Sequence, residues 1–206
     1  MKQEVNNFEK IYPLLNFENE GDFYYVSLIL RKKDKTTTFG NKNNSARIIK
    51  TYNVYNIDYL KIKEQEIKTL CNVFGCRAGI YLNRRNDKQI AYEMNCRVAM
   101  RLQEKQYNFK GLYDTCVGNV KSDDKFWLLD CDSDEEYNKV IEVLNSEEIK
   151  PVGNKIIETL PTYGGFHIVT RKFDRMTFDN LLGETKIEIH KNNPFCLYYP
   201  QNDELN

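Results

Sequence analysis

Asp130 and Asp132 stand at alternate positions at the end of an apolar run, FWLLDCD, and no other pair in this sequence is better placed for chemistry. On an extended chain residues i and i+2 share a face, so the two carboxylates project together while Leu129 and Cys131 point the other way. Two like charges side by side raise the proton affinity of one of them or demand a cation. Their oxygens are hard donors, suited to Mg²⁺ or Mn²⁺. The same parity on FHIVTRKF (166–173) groups His167 with Arg171 and puts Lys172 on the opposite face. On KIEIH (186–190) it groups Glu188 with Lys186 and His190, against Ile187 and Ile189. If these polar faces meet in one sheet, Asp130, Asp132 and Glu188 become metal ligands, and His167 and Arg171 become donors to an anion, with Lys172 as a further contact. That set suits a triphosphate, because phosphoryl transfer asks the protein mainly for positioning and charge neutralisation. The glycines Gly164 and Gly165, just ahead of His167, let the backbone turn tightly and come close to a ligand.

Several elements must hold these groups. Residues 23–33 are β-branched and aromatic and read as a strand, with 46–55 as its hairpin partner and 34–45 as the loop between them. A helix is expected over 58–74, from Leu60, Ile67, Leu70, Cys71 and Phe74 at helical spacing. A strand over 77–83 follows, then a helix over 86–105 with Ile90, Met94 and Val98 on one stripe. After the strand at 125–132, Ser133 to Glu136 form a capping box that opens a helix with Tyr137, Val140, Ile141 and Leu144 on its apolar side. Strands at 155–160, 166–173 and 186–190 surround the break Pro161–Gly165 and a short helical stretch near 176–183, and a last apolar run, FCLYY, precedes Pro200. This mixture predicts an α/β or α+β domain around a mixed, largely antiparallel sheet with flanking helices. The whole chain, 1–206, reads as one domain, with 1–120 its N-terminal part and 121–206 carrying the motifs.

Charge and composition narrow the function classes. Lys and Arg total 30 and Asp and Glu total 30, so any nucleic-acid contact must come from local patches, and histone-like coating is excluded. Two such patches, Arg84-Arg85 and Arg31-Lys32-Lys33, end predicted strands; beside the acidic site they would guide a template or a triphosphate. Apolar runs fall far short of the roughly 20 residues of a membrane span. No basic and apolar leader opens the chain, which reads as intracellular and cytoplasmic. The six cysteines lack zinc-ligand spacing and read as reduced, mostly packed thiols.

FWLLDCD followed by a helix, then PTYGGFHIVTR, then KIEIH and a later YYP, resembles the catalytic core of the archaeo-eukaryotic primase superfamily, including the primase-polymerases of phages and plasmids. The resemblance covers about residues 120–200. It implies a primase-like palm in which Asp130, Asp132 and Glu188 bind two catalytic Mg²⁺ or Mn²⁺ ions, and Gly165 and His167 contact the phosphates of an incoming nucleoside triphosphate, with Arg171, on the face of His167, as a further phosphate donor. Lys172, Arg84 and Arg85 are added as further nucleotide contacts. The third acid is Glu where the family usually has Asp. Implied partners are nucleoside triphosphates, single-stranded or primed nucleic acid, and a helicase or other replication protein, in a phage-encoded or mobile-element setting.

Two other readings use the same residues: a replication-associated protein that binds nucleotide or single strands without turnover, and a metal-dependent nuclease, which needs the acids but not a triphosphate-binding histidine. Simpler roles also stand beside the chemical ones. Acids from Asp130 to Glu136 suit a helix N-terminus, and His167 suits a structural hydrogen bond. The paired His-x-Thr signature of two-histidine phosphoesterases is excluded, since Thr170 lies three residues after His167 and Lys191-Asn192 follow His190.

Overall fold

Residues 22–30, rich in aromatic and aliphatic side chains, and 77–86, with Ala78, Ile80, Tyr81 and Leu82, give two long strands that each bury both faces, and the rest of the chain is arranged around them. The computed structural model describes residues 4–31, 46–122 and 124–201. In chain order the elements are β1 (Val5–Asn6), α1 (Phe8–Ile11), a 3-10 turn (Tyr12–Leu14), β2 (Asp22–Leu30), β3 (Arg47–Val54), α2 (Ile57–Phe74), β4 (Arg77–Asn86), α3 (Asp87–Gln103), α4 (Leu112–Asn119), β5 (Trp127–Cys131), α5 (Asp134–Asn145), β6 (Ile156–Pro161), β7 (Phe166–Thr170), α6 (Arg175–Leu182), β8 (Glu188–His190) and β9 (Phe195–Tyr199). The protein is a mixed α+β fold. Its strands form two sheets, β1-β9-β4-β2-β3 and β6-β7-β5-β8, paired antiparallel throughout among the described residues.

The sheets share a core. One face of β2, with Tyr24, Val26 and Leu28, joins Leu60, Ile67 and Cys71 of α2 and Leu128, Leu160 and Val169 of the second sheet in one apolar cluster. The other face of β2, with Phe23 and Tyr25, lies against Ile90 of α3 and Leu112, Cys116 and Val117 of α4. The second sheet turns Leu129, Cys131 and Ile168 toward Val140 and Leu144 of α5 and Phe178 and Leu182 of α6. Strand parity dictates this division, and it leaves Asp130 on the face that looks toward the first sheet. Asn7 ties the sheets together: fully buried, it donates from Nδ2 to the carbonyls of Pro161 and Cys196, each at 2.9 Å.

Several elements differ from the sequence-based expectation. One sheet was expected and two form: among the described residues no strand of β1–β4 pairs with one of β5–β8, and FCLYY becomes β9, which pairs with β1 and β4 in the first sheet. Strand β4 continues to Asn86, so Arg84 and Arg85 lie within it rather than beyond its end. Strand β7 stops at Thr170, which leaves Arg171 and Lys172 in the segment after it, and β8 begins only at Glu188. Helix α4 and the short N-terminal elements were not foreseen. The loop expected at 34–45, with Lys32 and Lys33, lies outside the described residues. The six cysteines are free thiols, and Cys71, Cys76, Cys116 and Cys131 are buried, in line with the expectation. Among the described residues no helix is long and apolar enough to cross a membrane.

Candidate active site in an acidic and basic cleft

Three of the residues singled out from the sequence stand in one row across the second sheet. Asp130, near the end of β5, is opposite His167 of β7 on one side and Glu188 of β8 on the other. Local chemistry holds the C-terminal end of β5 in place from two sides. Ser133 caps α5 by accepting from the Glu136 amide at 3.2 Å, and the Glu136 carboxylate accepts from the Asp132 amide at 2.8 Å. On the other side, β6 and β7 are joined by a tight loop in which the Thr162 amide donates to the Gly165 carbonyl at 2.8 Å, and the Gly165 amide to Thr162 Oγ1 at 3.1 Å. Of the two glycines expected near a ligand, Gly164 lines the cleft described below, and Gly165 has a packing role. It packs on the end of β5, where a Cβ would lie 1.9 Å from the Cys131 carbonyl oxygen.

The row opens into a cleft of about 410 Å³ between the ends of the two sheets. The second sheet contributes Asp130, Asp132, Thr162, Tyr163, Gly164 and His167 to its wall, and the first contributes Ile29, Arg31, Arg77, Ala78, Gly79, Pro194, Phe195, Cys196 and Tyr199. Ile29 and Arg77 face each other in the β2/β4 register, so the end of one strand and the start of the other bring Arg31 and Arg77 to the same rim. The Arg77 guanidinium sits 4.8 Å from the centre of the Tyr199 ring, and Tyr199 packs on Tyr163 with ring centres 4.6 Å apart. Arg77 and Tyr199 were not singled out in the sequence. Arg77 opens the strand antiparallel to the one Arg31 ends, a pairing that only the fold supplies.

The electrostatics of the cleft follow from burial and neighbours. Burial, then the charge of Asp132, with Glu188 further off, raises the proton affinity of Asp130 above the ordinary carboxylate range. His167 is largely buried, its Nδ1 accepts the Cys196 amide at 3.0 Å, and its Nε2 lies 3.5 Å from Asp130 Oδ1. With Nδ1 occupied as an acceptor, the proton of the neutral ring belongs on Nε2, facing the cleft. Burial, with the positive charges of Arg31 and Arg77 nearby, pushes the His167 pKa down to about 3. Burial likewise pushes the Cys196 thiol up to about 12, so it stands in the cleft wall as a thiol and not as a nucleophilic thiolate.

The shift of His167 has a measurable consequence. In the unfolded chain the ring protonates near pH 6.5, whereas in the folded chain it stays neutral down to about 3. Between these values the unfolded state binds the extra proton, so the stability due to this group is complete above about pH 6.5 and is lost as the pH falls toward 3. Chemical denaturation from neutral pH downward is expected to show, relative to His167→Gln, an added loss of about 1.4 kcal/mol per pH unit. Glutamine keeps an acceptor for the Cys196 amide. Parallel curves for the two proteins would mean that the folded ring carries a proton.

The other sequence candidates lie elsewhere. Arg171 is exposed just past the far end of β7, about 13 Å along the chain from His167 at ~3.3 Å per residue. Lys172 lines a different cleft. Arg84 is buried against Glu18 at 3.1 Å and against Asp22 and Asp124 at 3.5 Å. Arg85, also buried, donates to the carbonyls of Val117 at 2.7 Å and Asn83 at 2.8 Å, and to Asn192 Oδ1. These two arginines sit at the opposite end of β4 from Arg77 and hold the fold together there. Glu188 keeps its place in the row, but its exposed carboxylate is turned to His190 Nε2 at 3.0 Å.

For a divalent ion, Asp130 and Asp132 offer hard oxygens within the cleft, and the raised proton affinity of Asp130 is the strain a cation would relieve. The donor chemistry fits. Among the described residues, however, no three His, Cys, Asp or Glu side chains are gathered as a ligand set, and Glu188 would have to leave His190 to complete one. Comparison of the chain with protein-family models, with curated proteins and with solved structures finds no match in any of the three.

Proposed function

We propose that the chain is a metal-dependent nucleotidyltransferase of the primase-polymerase type, acting on a nucleoside triphosphate and a single-stranded or primed nucleic acid. One observation supports this reading: Asp130 and His167, paired across two strands with Glu188 next in the row, line a cleft of about 410 Å³ that Arg31 and Arg77 also line, a size that suits a small ligand. Asp130 and Asp132, joined by Glu188, would hold Mg²⁺ or Mn²⁺. When bound, the ion supplies charge neutralisation on the triphosphate and activation of the attacking hydroxyl. The chain's own residues supply the rest. His167 Nε2–H, Arg31 and Arg77 donate to phosphate oxygens, and Tyr163 and Tyr199 offer an aromatic wall for the base. The 3′-oxygen then bonds to the α-phosphorus, the bond to the pyrophosphate leaving group breaks, and the hydroxyl proton passes to solvent or a carboxylate.

The contact of Glu188 with His190 at 3.0 Å favours a second reading, in which the cleft binds nucleotide and never assembles the metal site. The test is incubation with Mn²⁺, a labelled triphosphate and a primed or bare single strand. Template-dependent extension or dinucleotide formation, absent in EDTA, is expected. Triphosphate binding with no product under any divalent ion would leave the second reading, and template degradation without triphosphate would indicate a nuclease.

A further inference from the structure

At the other end of the sheets from the acidic cleft, the ends of β4, α4, β7 and β8 and the start of β5 enclose a second cleft of about 400 Å³. Its wall carries four lysines, Lys121, Lys125, Lys172 and Lys191, from three separate stretches of chain, and all four side chains are exposed. None of the four has an ion-pair partner among the described residues. Elsewhere on the surface lysines meet acids, as in Lys10–Glu158, Lys50–Glu66 and Lys68–Glu64. The carboxylate on the wall, Asp124, is already engaged by Arg84, whose amide donates to it at 3.2 Å. Repulsion among unneutralised cations around one depression is a cost that an anion removes.

The depression is also held open by the fold. Asn83 donates to the carbonyls of Phe126 at 3.1 Å and Lys191 at 2.8 Å, and accepts the Phe126 amide at 2.9 Å. Arg85 beneath it spends its donors on Val117, Asn83 and Asn192 and so contributes positive potential rather than ligand contacts. Lys191 Nζ lies 5.2 Å from the centre of the Trp127 ring. Flexible cations spread around an open rim, with no converging set of buried free donors, suit a ligand whose charges repeat along a chain better than a single compact anion.

We propose that this basic cleft binds the phosphodiester backbone of a single-stranded nucleic acid. The surface is separate from the acidic cleft; the inference shares with the proposed function only the choice of nucleic acid as partner. The test is fluorescence anisotropy with a labelled oligothymidylate of about 20 nucleotides, long enough for one site, in EDTA and without triphosphate. The full chain is expected to bind with a salt slope of roughly −2 to −3, from three or four phosphate contacts at about 0.7 each. Lys121→Gln/Lys125→Gln/Lys172→Gln is expected to bind at least about tenfold more weakly at low salt, with a slope smaller by about two. Lys61→Gln/Lys88→Gln/Lys110→Gln, of equal charge change but remote, should bind as the unaltered chain does. Equal affinity and slope for the first triple variant and the unaltered chain overturn the proposal. So does binding of inorganic phosphate through these lysines with no oligothymidylate binding. Strand binding through this cleft without nucleotide incorporation would leave the inference standing and remove the proposed function. Incorporation with strand binding indifferent to the three lysines would do the reverse.

Discussion

Asp130→Asn is expected to lose metal-dependent nucleotide incorporation by 10²-fold or more, roughly the loss of a principal electrostatic contact to the transition state, while the folded chain becomes harder to melt. The second half of this expectation separates a site residue from a structural one. Burial and the neighbouring charges of Asp132 and Glu188 raise the folded-state pKa of Asp130. A carboxyl group whose pKa is higher folded than unfolded favours the native state at low pH, and that advantage disappears as the pH rises through its folded value. At neutral pH the ionised group therefore destabilises the apo fold, and the isosteric amide removes that cost. A thermal melt at neutral pH in EDTA should show a higher midpoint for Asp130→Asn. Added Mn²⁺ should raise the midpoint of the unaltered chain and leave the variant's unchanged, because a ligand stabilises only the state that binds it. A variant that melts lower in EDTA would mean that Asp130 holds the sheet together and is not a strained, cation-seeking group.

Gly165→Ala is expected to be among the most damaging single-methyl additions in the chain, and Gly164→Ala nearly silent. A Cβ at Gly165 would lie 1.9 Å from the Cys131 carbonyl oxygen and about as close as 3.0 Å to the Asp132 carbonyl carbon, and all of these neighbours are backbone. Backbone has no rotamer to move to, so either the Thr162–Gly165 loop or the end of β5 must shift. The cost is expected to be about 3 kcal/mol or more, which for a chain of this length lowers the melting midpoint by roughly 6–12 °C. Because β5 ends at Asp130 to Asp132, the same shift should disturb the acidic site, so nucleotide binding should fail even at temperatures where the variant is folded. At Gly164 a Cβ meets nothing within 4 Å, and the loop should accept it with a change within about 0.5 kcal/mol. Equal melting curves for the two variants would show that the close packing of the loop on β5 is not maintained in solution.

Much of the site's local order was legible in the sequence. The alternation in FWLLDCD, FHIVTR and EIH set which side chains share a face, since parity is a property of the extended backbone and needs no knowledge of partners. The Ser133 to Glu136 box marked where β5 gives way to α5 for the same reason: the cap is made by residues three apart. What the residues themselves could not supply was the alignment of Asp130 with His167 and Glu188, which depends on the register of β5 with β7 and β8. Parity allowed that row, and the pairing of distant strands created it.

Which cations face the acids was decided entirely by tertiary structure. In the sequence Arg84, Arg85, Arg171 and Lys172 looked as suitable as Arg31, because each lies in or at the end of a strand-like run. Antiparallel pairing reverses direction, however, so the start of β4 meets the end of β2, and Arg77 and Arg31 arrive at the acidic end together. The end of β4 and the end of β7 are carried to the opposite edge, where Arg84 and Arg85 are consumed by buried contacts and Lys172 joins a basic cleft. The destination of FCLYY was equally open: its apolar character required burial, but only the packed molecule chose the first sheet, and with it brought Cys196 to the Nδ1 of His167. Spacing along the chain thus determined the chemistry each segment can present. Direction and register between segments, which come from long-range hydrogen bonding and a shared core, determined which of those chemistries meet.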